Sequence, residues 1–232
     1  MRRRNGFPSD PPPARRRSGE GGSIRLPVLL LLMLFTAIAA GAAIVVRMEL
    51  FLQERFRQGA EAFYAADAAL ATAISELRRL PSWTAVLDGS VTSSSSRGGL
   101  SDPKSVPGGV VLVCCGAGSL SERLARETQA SPARSRRTVQ WQPFLWTPFD
   151  ALGPWPAPGG LYVAVWVGDD EADGDGAPGL DSNGTVIVRA EAVHPSGTRR
   201  IVEAYVAQPG PPPGDEPVPL RGVAILGWRE VR

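Results

Sequence analysis

A dense run of acidic side chains is the part of this sequence best suited to chemistry. Six carboxylates occur within residues 169–181, and Ser182 and Asn183 follow directly. Calcium accepts about six to eight oxygen ligands with loose geometry, and such a loop supplies them. However, the closing glutamate of an EF-hand loop is absent, so a calcium site and a solvated acidic turn both remain open. The predicted ligands are Asp169, Glu171, Asp173, Asp175 and Asp181.

The other reactive side chains match no familiar catalytic set. Cys114 and Cys115 are adjacent and lack the CxxC spacing of redox and zinc sites. They form a ring with each other, a bridge to another chain, or a pair of buried thiols in a strand. His194 is the only histidine, so a structural role is predicted for it. No phosphate-binding loop, nucleophile elbow or dinucleotide fingerprint occurs, and the chain is not expected to be an enzyme.

The distribution of charge says more than its sum. The 232 residues carry a formal charge of +2, but seven arginines lie in the first 25 residues against two acidic residues. With 43% hydrophobic and 21% charged residues, the composition excludes collagen-like and fully disordered chains. We therefore expect a basic leader before a mildly acidic globular region, with no nucleic-acid partner.

A membrane helix is predicted directly after the leader. Residues 26–46 carry no charge, and a helix of that length spans about 30 Å, the hydrocarbon thickness of a bilayer. The arginines before it place the N-terminus in the cytoplasm and the rest of the chain in the periplasm. A cleaved secretory signal is the alternative, but its apolar region is normally shorter. The prediction is a single-pass protein of the bacterial inner membrane, in contact with its lipid.

The helix is expected to continue to Leu80, because no proline interrupts residues 28–80 and Pro81 then ends the pattern. An apolar stripe recurs at helical spacing and suits one side of a globular domain. Its members are Leu52, Phe56, Ala60, Phe63, Leu70, Ile74 and Leu77. Asp67 falls on this stripe among alanines, as a carboxylate that reaches water or as a contact with a neighbouring subunit's helix.

The remainder of the chain is predicted to form an antiparallel sheet of about four strands packed on the amphipathic half of the helix, an α+β fold. The aromatic residues of segment 141–155 either cover this sheet or form a partner surface. The predicted organisation is a basic cytoplasmic leader (1–22), a transmembrane helix (23–47), an amphipathic helix (48–80), an irregular Gly/Pro/Ser-rich region (81–160) and a sheet with the acidic loop and a C-terminal strand (161–232).

These features together resemble a known family. A basic leader, a glycine, a long apolar helix and its amphipathic extension are similar to type IV pilins and to the pseudopilins of type II secretion. The stretch from Ala60 to Leu70, AEAFYAADAAL, resembles the signature of PilX-like minor pilins, with Asp67 where that signature usually has glutamate. Pilins usually carry glutamate as the fifth mature residue, where a cut after Gly22 would place Pro27. PilX-like members commonly lack that glutamate too.

The resemblance implies a pilin-like fold and a role in type IV pilus assembly, in which helix packing against other pilins primes or caps the filament and can carry the protein into the pilus. It implies cleavage between Gly22 and Ser23 by a prepilin peptidase, with a cut after Gly19 or Gly21 as the alternatives. The helix interface would comprise Phe63, Tyr64, Ala65, Ala66, Asp67 and Leu70. The alternatives are a minor pseudopilin of type II secretion and an anchored periplasmic binding module.

Overall fold

A computed structural model describes residues 25–107, 109–130, 139–153, 159–174, 176–208 and 222–231. It divides into two compact units, Met1–Leu52 and Gln53–Arg232. The predicted cleavage site at Gly22 and Ser23 and the predicted ligand Asp175 lie outside the described residues.

The described residues form three α-helices, seven strands and one 3₁₀ turn, an α+β fold with a long N-terminal helix and antiparallel sheets. The helices are α1 (Arg25–Leu77), α2 (Thr84–Leu87) and α3 (Leu120–Ala130), and the 3₁₀ turn is Phe149–Leu152. The strands are β1 (Lys104–Val106), β2 (Gly109–Val111), β3 (Gln142–Pro148), β4 (Tyr162–Asp169), β5 (Thr185–Val193), β6 (Arg199–Ala207) and β7 (Ala224–Val231).

Helix α1 runs without a break for 53 residues. Its proline, Pro27, lies in the first turn, where a backbone N–H has no partner within the helix in any case. Residues 25–57 of the helix are all exposed. A window of α1 has a mean hydropathy of 2.7, and α1 is the one helix in the described part of the chain that is long and apolar enough to cross a membrane.

The C-terminal part of α1 is buried on a face made mainly of alanine. Leu70, Ile74 and Leu77 of the predicted stripe are buried, but Phe56 is 80% exposed. The rest of the buried face consists of Gly59, Ala62, Ala65, Ala66, Ala69 and Ala73. These small side chains share one hydrophobic cluster with Val163, Val165 and Val188 of the sheet. The helix therefore packs on the sheet mainly through alanines. The apolar periodicity of the sequence had predicted that its larger residues would make this contact.

The end of α1 is fixed by an indole group. The helix ends at Leu77, three residues before the predicted Leu80. The buried Trp83 donates its Nε1–H to the carbonyl oxygen of Leu77 at 3.0 Å. This bond satisfies one of the carbonyl groups that a helix C-terminus leaves unpaired. Pro81 follows in the turn, as a residue that cannot continue the helix.

The main sheet is an antiparallel meander of five strands in the order β3-β4-β5-β6-β7. Four of them lie in the segment predicted as sheet. The fifth, β3, lies in the Gly/Pro/Ser-rich region that was predicted to be irregular, and it contains Pro143 and Pro148. A proline is tolerated on an edge strand or at a bulge. Strand β3 is an edge strand, its register shifts next to Pro143, and Pro148 is its last residue.

Both faces of the sheet are covered at β4, where every residue is buried. One face packs on the alanine face of α1. On the other, Trp146, Tyr162 and Trp166 form a second cluster with residues of α3 and of the β1–β2 hairpin. Two predicted members of the aromatic surface, Phe144 and Trp146, therefore lie in the two cores.

We expect Ala66→Leu to destabilise the domain by about 1–3 kcal/mol, because Ala66 is fully buried and the added atoms must displace packed neighbours. The matched control is Ala71→Leu, on the exposed face of the same helix, with an expected change within about 0.5 kcal/mol. Urea unfolding of the full chain in a nonionic detergent, followed by tryptophan fluorescence, measures both. Equal losses in the two variants would contradict the packing of α1 on the sheet.

Candidate functional site

The predicted helix interface divides into residues that are free to meet a partner and residues that are not. Tyr64 is 68% exposed, Asp67 is exposed and Phe63 is half-buried. Ala65, Ala66 and Leu70 are buried in the chain's own core, so these three cannot present a surface to a neighbouring helix, which corrects the prediction for them. Their small size serves the packing of α1 on its own sheet. Asp67 is exposed, so the carboxylate that reaches water and the contact with a neighbouring subunit's helix both stay predictions.

An aromatic groove lies where the exposed side of α1 meets β6 and β7. Its cavity of about 330 Å³ is lined by Phe56, Gly59, Ala60, Phe63, Tyr64, Arg200 and Glu230. Phe63 makes edge-to-face contacts with Tyr64, at 5.5 Å between ring centroids, and with Trp228 of β7, at 5.8 Å. Trp228 is 48% exposed at the rim of this contact. The sequence did not connect Trp228 with α1, since about 165 residues separate the two aromatic groups.

A guanidinium group closes one side of the aromatic groove. The Nη2 atom of Arg200 lies 2.8 Å from the place that a Cβ atom on Gly59 would take, so the missing side chain leaves room for it. Arg200 Nε is 3.5 Å from Glu230 Oε1 on the neighbouring strand. The groove thus combines exposed aromatic rings with one ion pair, which is the composition of a protein–protein contact more than of an active site.

Three carboxylates of the acidic loop converge. Asp169, Asp170 and Asp173 are buried, and one oxygen atom from each lies within 4.8 Å of the others. Asp170 was not among the predicted ligands, because the alternation of residues 169, 171 and 173 placed it on the opposite side. Glu171 is half-buried and does not belong to this group. The backbone turn between Asp170 and Asp173, with the N–H of Asp173 bonded to the carbonyl of Asp170, brings them together.

The loop is held by hydrogen bonds to its own carboxylates. Asp173 accepts bonds from the Ser182 hydroxyl and, at 2.8 Å, from the Ser182 backbone N–H. Asp170 accepts a bond from Asn183 Nδ2 at 2.7 Å. Two features of the sequence, the serine and the asparagine after the acidic run, therefore fasten the loop at its base. Oxygen atoms at this spacing suit one hard cation, and the hydrogen bonds also account for a turn without one.

The charge of Asp181 is disfavoured by its surroundings. Burial raises its pKa, and the charges of Asp173 and Asp170 raise it further, against the lowering effect of the Gly184 and Thr185 backbone N–H groups. The Gly184 N–H reaches Asp181 Oδ1 at 2.7 Å. Of the predicted ligands that the structure describes, Asp169 and Asp173 meet, Asp181 interacts with Asp173 through its charge, and Glu171 lies apart.

The two cysteines form a disulfide with each other, with Cα atoms 3.8 Å apart. Of the three arrangements that the sequence left open, this is the ring, and it lies after β2 in a turn with Cys115 exposed at a φ of 69°. His194 lies in the β5–β6 turn, where its Nδ1 is 2.8 Å from the Ser196 hydroxyl and its Nε2 is 3.3 Å from Glu61 on α1. His194 thus lies between the sheet and α1, and its structural role stays a prediction from the sequence.

The outer face of β5 and β6 carries a network of buried charges. Arg189 and Glu203 are 2% and 1% exposed and pair at 2.9 Å. Arg189 also pairs with Glu127 of α3, and Glu203 with Arg229 of β7 at 2.6 Å. Such a network costs desolvation energy and stabilises only when its charges are paired. The alternation of apolar and charged residues in β5 predicted a charged face, and in the structure α3 covers that face.

Comparison with protein-family models, with curated proteins and with solved structures finds no match for this chain. Among the described residues, three features could meet a ligand or a partner. They are the aromatic groove, the acidic loop and the exposed apolar part of α1.

Replacing Asp181 by asparagine tests the electrostatics of the loop. Because the folded-state pKa of Asp181 is raised, the folded protein holds this proton more tightly, and stability falls as the pH rises above the ordinary aspartate pKa of about 3.9. The asparagine amide keeps a carbonyl acceptor for the Gly184 N–H. We expect Asp181→Asn to raise the Tm at pH 7 relative to the wild type, and this advantage to vanish below about pH 4.

Asp88→Asn is the control with the opposite sign. Hydrogen bonds from the Ser90 side chain and backbone lower the pKa of Asp88. That carboxylate stabilises the fold above its ordinary pKa, and the contribution is lost as the pH falls. Asp88→Asn is thus expected to lower the Tm at pH 7. The same pH dependence in both variants would contradict the assignment.

Calcium binding stays a prediction from the sequence and has a direct measurement. We expect a calorimetric titration of the full chain to give saturable binding in the millimolar range or below if the three converging carboxylates share a cation. Asp173→Asn should then remove it, with Asp102→Asn, outside the loop, as the control. The absence of binding at millimolar calcium would leave the acidic turn as the correct interpretation.

Proposed function

We propose that this chain is a PilX-like minor pilin, anchored in the bacterial inner membrane by one helix, that takes part in type IV pilus assembly. The basic leader, the apolar helix and the AEAFYAADAAL stretch support the resemblance to that family. The N-terminus would lie in the cytoplasm and the α+β domain in the periplasm, in accordance with the arginines before the apolar run.

One observation carries the proposal. A single unbroken helix, α1, is exposed and apolar over its N-terminal part and buried in a domain core over its C-terminal part. A core helix of a soluble protein would bury its apolar residues, and a cleaved signal would not continue into the fold. A helix of this kind suits a protein whose membrane anchor continues directly into the core of its folded domain.

The same helix suits transfer from lipid to a filament. Lipid chains are about as apolar as leucine side chains, so the hydrophobic effect opposes the move from lipid to other apolar helices only weakly. The association of such helices then depends on van der Waals packing, which small residues make closer. In this proposal the first part of α1 meets other pilins, and this contact primes or caps the filament.

The exposed residues of the aromatic groove are proposed to extend that contact. Phe56 and Tyr64 on α1 and Trp228 on β7 are exposed by 80%, 68% and 48%. Large aromatic residues carry much of the binding energy at protein interfaces. They replace the buried Ala65, Ala66 and Leu70 as the residues that would meet a neighbouring subunit.

Two other functions fit parts of the molecule. A minor pseudopilin of type II secretion has the same anchor and differs in the machine that it serves. An anchored periplasmic binding module is favoured by a different observation, an apolar cavity of about 240 Å³ beside α3 with Trp141 and Trp166 in its wall. Processing of the leader separates the pilin-like functions from the binding module.

We expect the protein in bacterial membranes to begin at Ser23, since a prepilin peptidase would cut after Gly22. Edman sequencing of the membrane-extracted protein measures the N-terminus, and Gly22→Val should leave the leader attached because the bulkier residue adjoins the cut bond. Gly6→Val, within the leader, is the control and should be processed normally. A membrane protein that retains Met1 in the wild type would refute the pilin-like functions.

A further inference from the structure

A small polar cavity lies on the outer side of the sheet, away from the aromatic groove and the acidic loop. Its volume is about 230 Å³, below the range of about 300–1,000 Å³ typical of sites for drug-sized ligands. Strand β2, the turn before α3, α3 itself and the β5–β6 turn form its wall. The polar side chains in that wall are Arg123, His194 and Arg199.

The guanidinium group of Arg123 faces this cavity without a direct counter-ion. No ion pair or hydrogen bond joins the group to any residue that the structure describes, and its Nε atom is buried without a hydrogen-bond partner. Burial lowers the pKa of Arg123, and the positive charge of Arg199 lowers it further, against the weaker opposing charges of Glu191 and Glu127. A buried donor without a partner is costly, but this nitrogen is out of reach of solvent, so an ion in the cavity would meet the charge and the terminal nitrogen atoms of the guanidinium group.

Arg199 places a second guanidinium group in the wall of the same cavity. Its Nε pairs with Glu191 at 2.5 Å, but its Nη2 is 3.8 Å from Glu127 Oε1, too far for a hydrogen bond, and is buried without a partner. Burial alone would lower the pKa of Arg199, and the hydrogen bond and charge of Glu191 more than offset it, so that its pKa is raised. Arg199 is therefore held in place and keeps one nitrogen unused.

The nearby carboxylates are committed to other groups. Glu127 and Glu203 pair with Arg189, and Glu203 pairs in addition with Arg229. Glu122, next to Arg123, accepts the Gly118 N–H at 2.6 Å and lies 3.8 Å from Arg126. These described groups comprise Arg123, Arg126, Arg189, Arg199 and Arg229 against Glu122, Glu127, Glu191 and Glu203. Arg123 is the residue of this set without an ion pair.

We propose that this cavity binds a small oxyanion, a phosphate, a sulfate or a single carboxylate group, between Arg123 and Arg199. Guanidinium groups offer planar donors that match the oxygen atoms of such ions, and charge-assisted hydrogen bonds are the stronger kind. The anion supplies a negative charge beside the Arg123 guanidinium group, which has no ion pair with any described residue. The cavity is large enough for an ion of this size and small enough to favour it over a nucleotide.

The probe is inorganic phosphate, titrated into the full chain in a nonionic detergent and Tris-chloride buffer at constant ionic strength. We expect saturable binding by calorimetry and a Tm that rises with phosphate concentration. Arg123→Gln should weaken binding about tenfold or more, because it removes the uncompensated charge. Arg126→Gln, on the same helix and exposed, is the matched control and should leave the affinity within about twofold.

A second readout distinguishes a binding residue from a structural one. In phosphate-free buffer, Arg123→Gln should fold and have a Tm equal to or above that of the wild type, since it removes an unpaired, partly buried charge. Arg123→Lys keeps the charge and should retain part of the phosphate response. Parallel titrations with sulfate and acetate separate tetrahedral ions from carboxylates. The proposal is overturned if none of the three ions binds, or if Arg123→Gln and Arg126→Gln respond alike.

Discussion

Helix α1 must satisfy two environments with one unbroken ladder of backbone hydrogen bonds. A helix pairs its backbone groups internally, which makes it a suitable structure for crossing lipid and for burial in a protein core. The change of environment is then visible in the side chains alone. Leucine, valine and isoleucine dominate the exposed first part, and alanine dominates the buried face of the second. The rest of the domain is arranged around that alanine face.

Alanine on the helix requires the larger side chains to come from the sheet. Valines of β4 and β5 fill that side, and β4 is consequently buried on both faces. The second face then needs a cover, which α3 and the β1–β2 hairpin provide. Burying that face also buries Arg189, Glu191 and Glu203, and the ion pairs that these residues make are the condition under which α3 can pack there.

The proposed contacts with partners and ligands involve surfaces that remain outside the two hydrophobic clusters. Phe56 of the apolar stripe is exposed, and the half-buried Phe63 lies at the edge of the core. Both line the aromatic groove, where Phe63 also contacts Tyr64 and Trp228. On the opposite side of the sheet, the paired charges leave one arginine unbalanced beside a cavity. The packing of the alanine face of α1 on the sheet thus leaves an aromatic surface, and the packing of α3 on the other face leaves a basic cavity.

The sequence by itself determined the long helix, its apolar first part, strand β5 with its alternation and the position of the acidic run, because all of these depend on residues close together in the chain. Tertiary structure decided which face of α1 is buried, since the hydrophobic period allowed both alanine and larger residues to face the core. It also decided that β3 pairs despite Pro143, as an edge strand, and that Asp170 joins Asp169 and Asp173 through a turn. Contacts between residues distant in sequence, such as Phe63 with Trp228, have no signal in local periodicity and exist only in the fold.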